Sequence, residues 1–89
     1  MKSVTTEKFR KMLVRLPRGT QKRARQAYQL WKQDHHHTSL QFKQVHQTQP
    51  IYSVRVGSSY RALGVIQDET IVWFWVGSHE RYNNQIKQL

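Results

Sequence analysis

"IYSVRVGSSYRALGVI", residues 51–66, holds two runs of β-forming residues around Gly57-Ser58-Ser59, and the way the turn closes decides which face each side chain takes. Two serines suit a two-residue hairpin turn poorly, because its central positions need residues that tolerate positive φ. A three-residue loop, Ser58 to Tyr60, is the better reading and sets Gly57 opposite Arg61. Tyr52, Val54 and Val56 then share a face with Ala62, Gly64 and Ile66, and the other face carries Ser53, Arg55, Arg61 and Leu63. A two-residue turn would instead send Arg55 and Arg61 to opposite faces.

Downstream, Asp68-Glu69 reads as a turn and Thr70 to Val76 as the next strand. That register pairs Gly64 with Trp73, the smallest residue making room for one of the largest. It places Trp73 and Trp75 on the core face, Val76 opposite Arg61, and His79 beside Arg61's end of the sheet. A short helix, Glu80 to Lys87, follows. Upstream, Leu40 to Val45 reads as a first strand. Further back the apolar period becomes helical. Thr5-Thr6-Glu7 supplies a cap and a first-turn carboxylate, and Phe9, Met12, Leu13 and Leu16 follow until Pro17. A second helix from about Thr20 to Gln33 carries Ala24, Ala27, Tyr28 and Trp31 as its stripe, with Leu30 beside it. The pattern predicts one α+β domain over residues 1–89, an N-terminal helical hairpin packed on a four-stranded antiparallel sheet with a short C-terminal helix.

Fifteen Lys and Arg against five Asp and Glu give a formal net charge of +10 in 89 residues. So large a charge on so small a surface favours a polyanion, most simply nucleic acid. There is no basic segment with a strong apolar face to enter a membrane surface. No apolar run approaches the roughly 20 residues that span a bilayer, and the N-terminus lacks a signal peptide's apolar centre, so the expected location is cytoplasmic. Cysteine is absent, which excludes disulfides and thiolate zinc sites. His35-His36-His37 cannot converge in an extended segment, and no metal or other cofactor is expected.

The stretch "WVGSHERY", residues 75–82, ends a buried strand in a histidine, an arginine and a tyrosine. Metal-free RNA cleavage needs a base for the 2′-hydroxyl, cations for the phosphorane and an acid for the leaving 5′-oxygen. Arginine can grip two phosphate oxygens, and histidine can transfer protons near neutral pH. Arg55, Arg61 and His79 therefore form a candidate site, with Tyr82 able to stack on a base or handle a proton. Each has a plainer reading. On spacing alone the arginines are solvated surface charges, His79 starts a helix, and Tyr82 packs that helix onto the sheet. Trp73-Phe74-Trp75 reads as core rather than as a base-stacking platform.

Taken together, "LPRGTQKRARQAYQLW", "SLQFKQV", "YSVRVGSSYRALG" and "VWFWVGSHERY" resemble the RelE/ParE superfamily of toxins from bacterial type II toxin–antitoxin systems. The resemblance implies a microbial RNase-like fold and, for RelE-type members, metal-independent endoribonuclease activity on ribosome-bound mRNA (an mRNA interferase) that inhibits translation. It implies Arg61 and Arg55 as phosphate-binding catalytic residues, His79 as general acid or base, and Tyr82 as a stacking or proton-handling residue. Lys43 and Arg81 would bind substrate. The glutamate base of some members has no counterpart here, since the first strand offers Gln41, Lys43 and Gln44. ParE-type members share the fold, lack the nuclease residues and inhibit DNA gyrase. The implied partners are a cognate acidic antitoxin with mRNA and the ribosome, or with gyrase in the alternative; a plain RNA-binding domain is the third reading.

Overall fold

The computed structural model describes all residues, 1–89. Its elements are β1 (Lys2–Thr5), α1 (Glu7–Val14), α2 (Arg18–Gln33), β2 (Lys43–Gln44), β3 (Ile51–Val56), β4 (Tyr60–Gln67), β5 (Thr70–Ser78) and α3 (His79–Lys87), with a 3₁₀ turn at Thr38–Leu40. They form a five-stranded sheet in the order β1-β5-β4-β3-β2. The α+β class, the helical N-terminal half and the C-terminal helix are as expected, and the sheet has one strand more. That strand, β1, runs parallel to β5, and Trp73 Nε1 donates to Ser3 Oγ across the pair at 3.0 Å. It escapes a sequence reading because "KSVT" buries nothing fully and carries no period.

α1 begins where expected. Thr6 Oγ1 accepts from Phe9 N–H at 3.0 Å, and Glu7 occupies the first turn. α1 packs on β5 and α2 on β3. Beneath them lies the larger core, where Trp31 meets Phe42 and Trp73 edge-on at 5.8 and 5.5 Å, with Val54, Val56, Ala62, Ile71 and Val76 around it. The expected first strand shrinks to two residues because Gln41, at φ +47, turns the chain out of the 3₁₀ helix in the left-handed region.

The central hairpin closes with Gly57-Ser58-Ser59 as its loop, so Val56 pairs with Tyr60 and Arg55 with Arg61. The loop is one residue earlier than predicted, and Gly57 supplies the positive φ, +62. The pairing therefore slips by two residues from the predicted one. A slip of two preserves every face, and Arg55 and Arg61 stand directly opposite one another.

Between β4 and β5, Asp68 and Glu69 (φ +50 and +62) form the expected two-residue turn, and Gly64 pairs with Trp73. The register then breaks. Leu63 pairs with Trp75, leaving Phe74 as an extra residue in a β-bulge. Beyond it the faces of β5 exchange. Val76 joins the larger core, and Trp75 joins a second one with Ile51, Leu63 and Tyr82 under α3. The expectation that Trp75 faces the helical hairpin, and that Val76 opposes Arg61, is corrected by this one residue: Gly77 opposes Arg61.

Candidate functional site

The bulge and the hairpin register deliver side chains to the α3 side of the sheet. Arg55 and Arg61 face each other across the β3–β4 ladder. Like charges placed directly opposite destabilise a sheet, and no acid offsets them, since the structure's one salt bridge joins Lys11 to Glu7 on α1. Arg61 is only 8% exposed. It donates through Nη2 to Gln41 Oε1 and through Nη1, at 3.5 Å, to Ser53 Oγ. These neutral acceptors orient the guanidinium and leave its charge uncompensated.

Arg55, half-buried, donates from Nε to Gly57 O at 2.9 Å, so its two terminal nitrogens stay free for a ligand. β5 ends at Ser78, whose Oγ caps α3 by accepting from Arg81 N–H at 3.3 Å. His79 is the first residue of that helix. Its backbone N–H donates to Ser59 O at 2.8 Å, which ties the helix start to the β3–β4 loop. The imidazole is exposed and stacks on Tyr82 at 5.7 Å. Arg55, Arg61 and His79 border one polar hollow of about 250 Å³ with Gln41, Ser58 and Tyr60.

Tyr82 is buried, its hydroxyl donates to Ser53 Oγ at 3.3 Å, and its ring lies 5.5 Å from the Arg61 guanidinium. It supports the hollow from below instead of lining it. Lys43 is exposed on β2 opposite Ser53. Arg81 is brought elsewhere: it borders a separate hollow with Met12, Trp75 and Val76, because the helical turn points it away from His79. Gln41, Ser58 and Tyr60 are the wall residues that sequence reasoning did not assign. Gln41 had no signal beyond its place in the part of the expected first strand that is lost, Ser58 none beyond the turn, whereas Tyr60 directly precedes Arg61.

The histidine run serves local structure. His35 stacks on Trp31 at 4.1 Å and bonds its carbonyl, and His37 Nδ1 accepts from Ser39 N–H at 3.2 Å. No group of three or more His, Cys, Asp or Glu side chains is placed to hold a metal ion. No helix is long and apolar enough to cross a membrane.

Among solved structures, the fold is similar to a chain of the RelB–RelE antitoxin–toxin complex from Methanococcus jannaschii, with TM-score 0.73, 19% identity, and coverage of 92% of this chain and 96% of that one. The archaeal RelE–RelB complex from Pyrococcus horikoshii OT3 gives 0.71 at 16% identity, covering 90% and 96%. The isolated E. coli RelE toxin gives 0.66 at 15% identity, covering 98% and 96%. No curated protein sequence matches. The family model of the ParE-like toxin domain matches residues 18–84, from the start of α2 into α3. With that match over most of its length and the RelE fold throughout, the chain belongs to the RelE/ParE superfamily of toxins.

Proposed function

We propose that this protein is the toxin of a type II toxin–antitoxin pair and that it cleaves messenger RNA on the ribosome. The observation that carries the reading is Arg61: a buried cation without a carboxylate, opposite a second arginine and beside a histidine. Burying an unpaired charge is costly, and a phosphodiester in the hollow would relieve that cost.

In the proposed reaction the 2′-oxygen bonds to phosphorus as the bond to the 5′-oxygen breaks, leaving a 2′,3′-cyclic phosphate and a 5′-hydroxyl. Arg61 and Arg55 bind the non-bridging oxygens and stabilise the charge that builds on them. His79 makes one of the two proton transfers, taking the proton of the attacking 2′-hydroxyl or protonating the departing 5′-oxygen, and solvent water makes the other. Lys43 adds a cation at the neighbouring strand. Tyr82, with its hydroxyl committed to Ser53, is a positioning residue for Arg61 and His79.

A cognate acidic antitoxin would cover this cationic face, a reading supported by the RelB–RelE complexes among the similar structures. The test is growth inhibition together with cleavage of messages on programmed ribosomes. Arg61→Ala and His79→Ala each abolish both while the circular dichroism spectrum stays that of the wild type. Toxicity that survives both changes at matched expression rejects the nuclease.

One observation favours a second reading. The matching family model is the ParE-like one, and a gyrase-binding toxin would use the exposed helices without needing His79. Inhibition of gyrase supercoiling by both wild type and His79→Ala, with intact transcripts, would establish it.

A further inference from the structure

Arg55 stands in the common wall of two hollows. One is the pocket with Arg61 and His79. The other, about 310 Å³, opens behind it between α2 and the 3₁₀ turn, with Arg23, Gln26, Ser39 and Gly57 on its walls. The partition is thin. Leu40 and Gly57 face the second hollow, and their chain neighbours Gln41 and Ser58 face the first.

Gly57 gathers the two arginines of the second hollow. Its carbonyl accepts from Arg55 Nε at 2.9 Å. A Cβ at Gly57 would stand 2.8 Å from Arg23 Cδ, so the aliphatic stem of Arg23 lies directly against the bare backbone. Neither guanidinium has a salt-bridge partner. Two unneutralised cations, the exposed Arg23 and the half-buried Arg55, in a cleft lined also by Gln26, Ser39, Ala27, Leu30 and Leu40 suit a phosphate carrying a sugar. The two hollows share Arg55 in their walls, so a ligand that repeats its anionic groups along one backbone fits both. A single strand of RNA does so, with one phosphate per nucleotide.

Building on the nuclease reading, we infer that the Arg23 hollow is a second phosphate subsite. It holds the phosphate next to the scissile one on the same RNA strand, using Arg23 and the outer edge of Arg55. Gln26 and Ser39 are placed to meet the attached ribose or base. Arg23 contributes to seating the strand and takes no part in proton transfer.

The test is a double-mutant cycle with chemically altered RNA. The probe is a short single-stranded RNA blocked by a 2′-deoxy nucleotide at the cleavage position, with one flanking phosphate replaced by a neutral methylphosphonate, on either side in turn. Affinity is measured by fluorescence anisotropy. On one flank the replacement should weaken wild-type binding roughly tenfold, and Arg23→Ala should weaken binding of the unmodified RNA by about the same factor. The two together should cost little more than either. Lys22→Ala, on the same helix with the same charge loss, should show no such coupling.

Additive losses on both flanks, equal coupling at Lys22, or no measurable RNA affinity would each overturn the subsite. Cleavage of an all-ribose message on programmed ribosomes is followed in parallel. Scission without coupling rejects the subsite alone; coupling without scission rejects the nuclease and leaves a two-phosphate strand-binding groove.

Discussion

The phenol of Tyr82 and the hydroxyl of Ser53 meet at 3.3 Å, 29 residues apart in the chain, and join α3 to the middle of β3. The same Ser53 Oγ receives Arg61 Nη1 at 3.5 Å. One serine oxygen thus serves both the last helix and the buried guanidinium. Tyr82→Phe removes one hydrogen bond and is expected to cost about 1 kcal/mol. Tyr82→Ala also removes the ring from the second core and should cost about 3–5 kcal/mol. Urea unfolding of the two variants measures both, and equal losses would refute this division between hydroxyl and ring.

Arg61 sets function against stability. Arg61→Met keeps much of the side-chain length while removing an uncompensated buried charge and its repulsion with Arg55. It should abolish message cleavage and leave the fold unchanged or about 1 kcal/mol more stable. Arg61→Lys should recover little activity, because an ammonium cannot span Gln41, Ser53 and a phosphate as a planar fork does. Thermal unfolding beside initial cleavage rates provides the check; a markedly less stable Met variant contradicts the claim.

His79→Ala should separate binding from chemistry. The imidazole has no hydrogen-bonding role in the fold, and its stacking on Tyr82 is solvent-exposed on the other side. The variant is expected to bind uncleavable RNA close to wild-type strength while its single-turnover rate falls by about 10²–10⁴. A rate within a few-fold of wild type would remove His79 from the reaction.

Gly64 tests the packing that positions the platform. A Cβ there would stand 2.8 Å from both Ile71 Cγ1 and Trp73 Cε3. Gly64→Ala should therefore destabilise by about 1–3 kcal/mol through overpacking, seen as a lower urea midpoint. Gly19, whose added Cβ would meet nothing within 4 Å, serves as the control, and Gly19→Ala should be near neutral or mildly stabilising.

The helices and the hairpin were legible because their signals are local: a capping threonine, Pro17, helical apolar spacing, and a Gly-Ser-Ser turn whose odd length keeps Arg55 and Arg61 on one face. Even the misplaced loop did no harm, since the slip was by two. What stayed hidden depends on distant partners. β1 exists because Trp73 and the edge of β5 receive it, and "KSVT" alone says nothing of that. The Phe74 bulge sends Trp73 and Trp75, two residues apart, into different cores, which no alternation rule contains. Gln41 became a wall of the site through a left-handed backbone conformation, and Arg81 left it by one helical step. Arg55, Arg61 and His79 were legible as neighbours because hairpin parity and strand order suffice to place them.

The unneutralised Arg61 has a thermodynamic corollary. If a group is uncomfortable in the empty folded state and comforted by an anion, then occupancy and folding are linked equilibria. The melting temperature should climb with the concentration of a polyanion that reaches the hollow, and that climb should vanish in Arg61→Met.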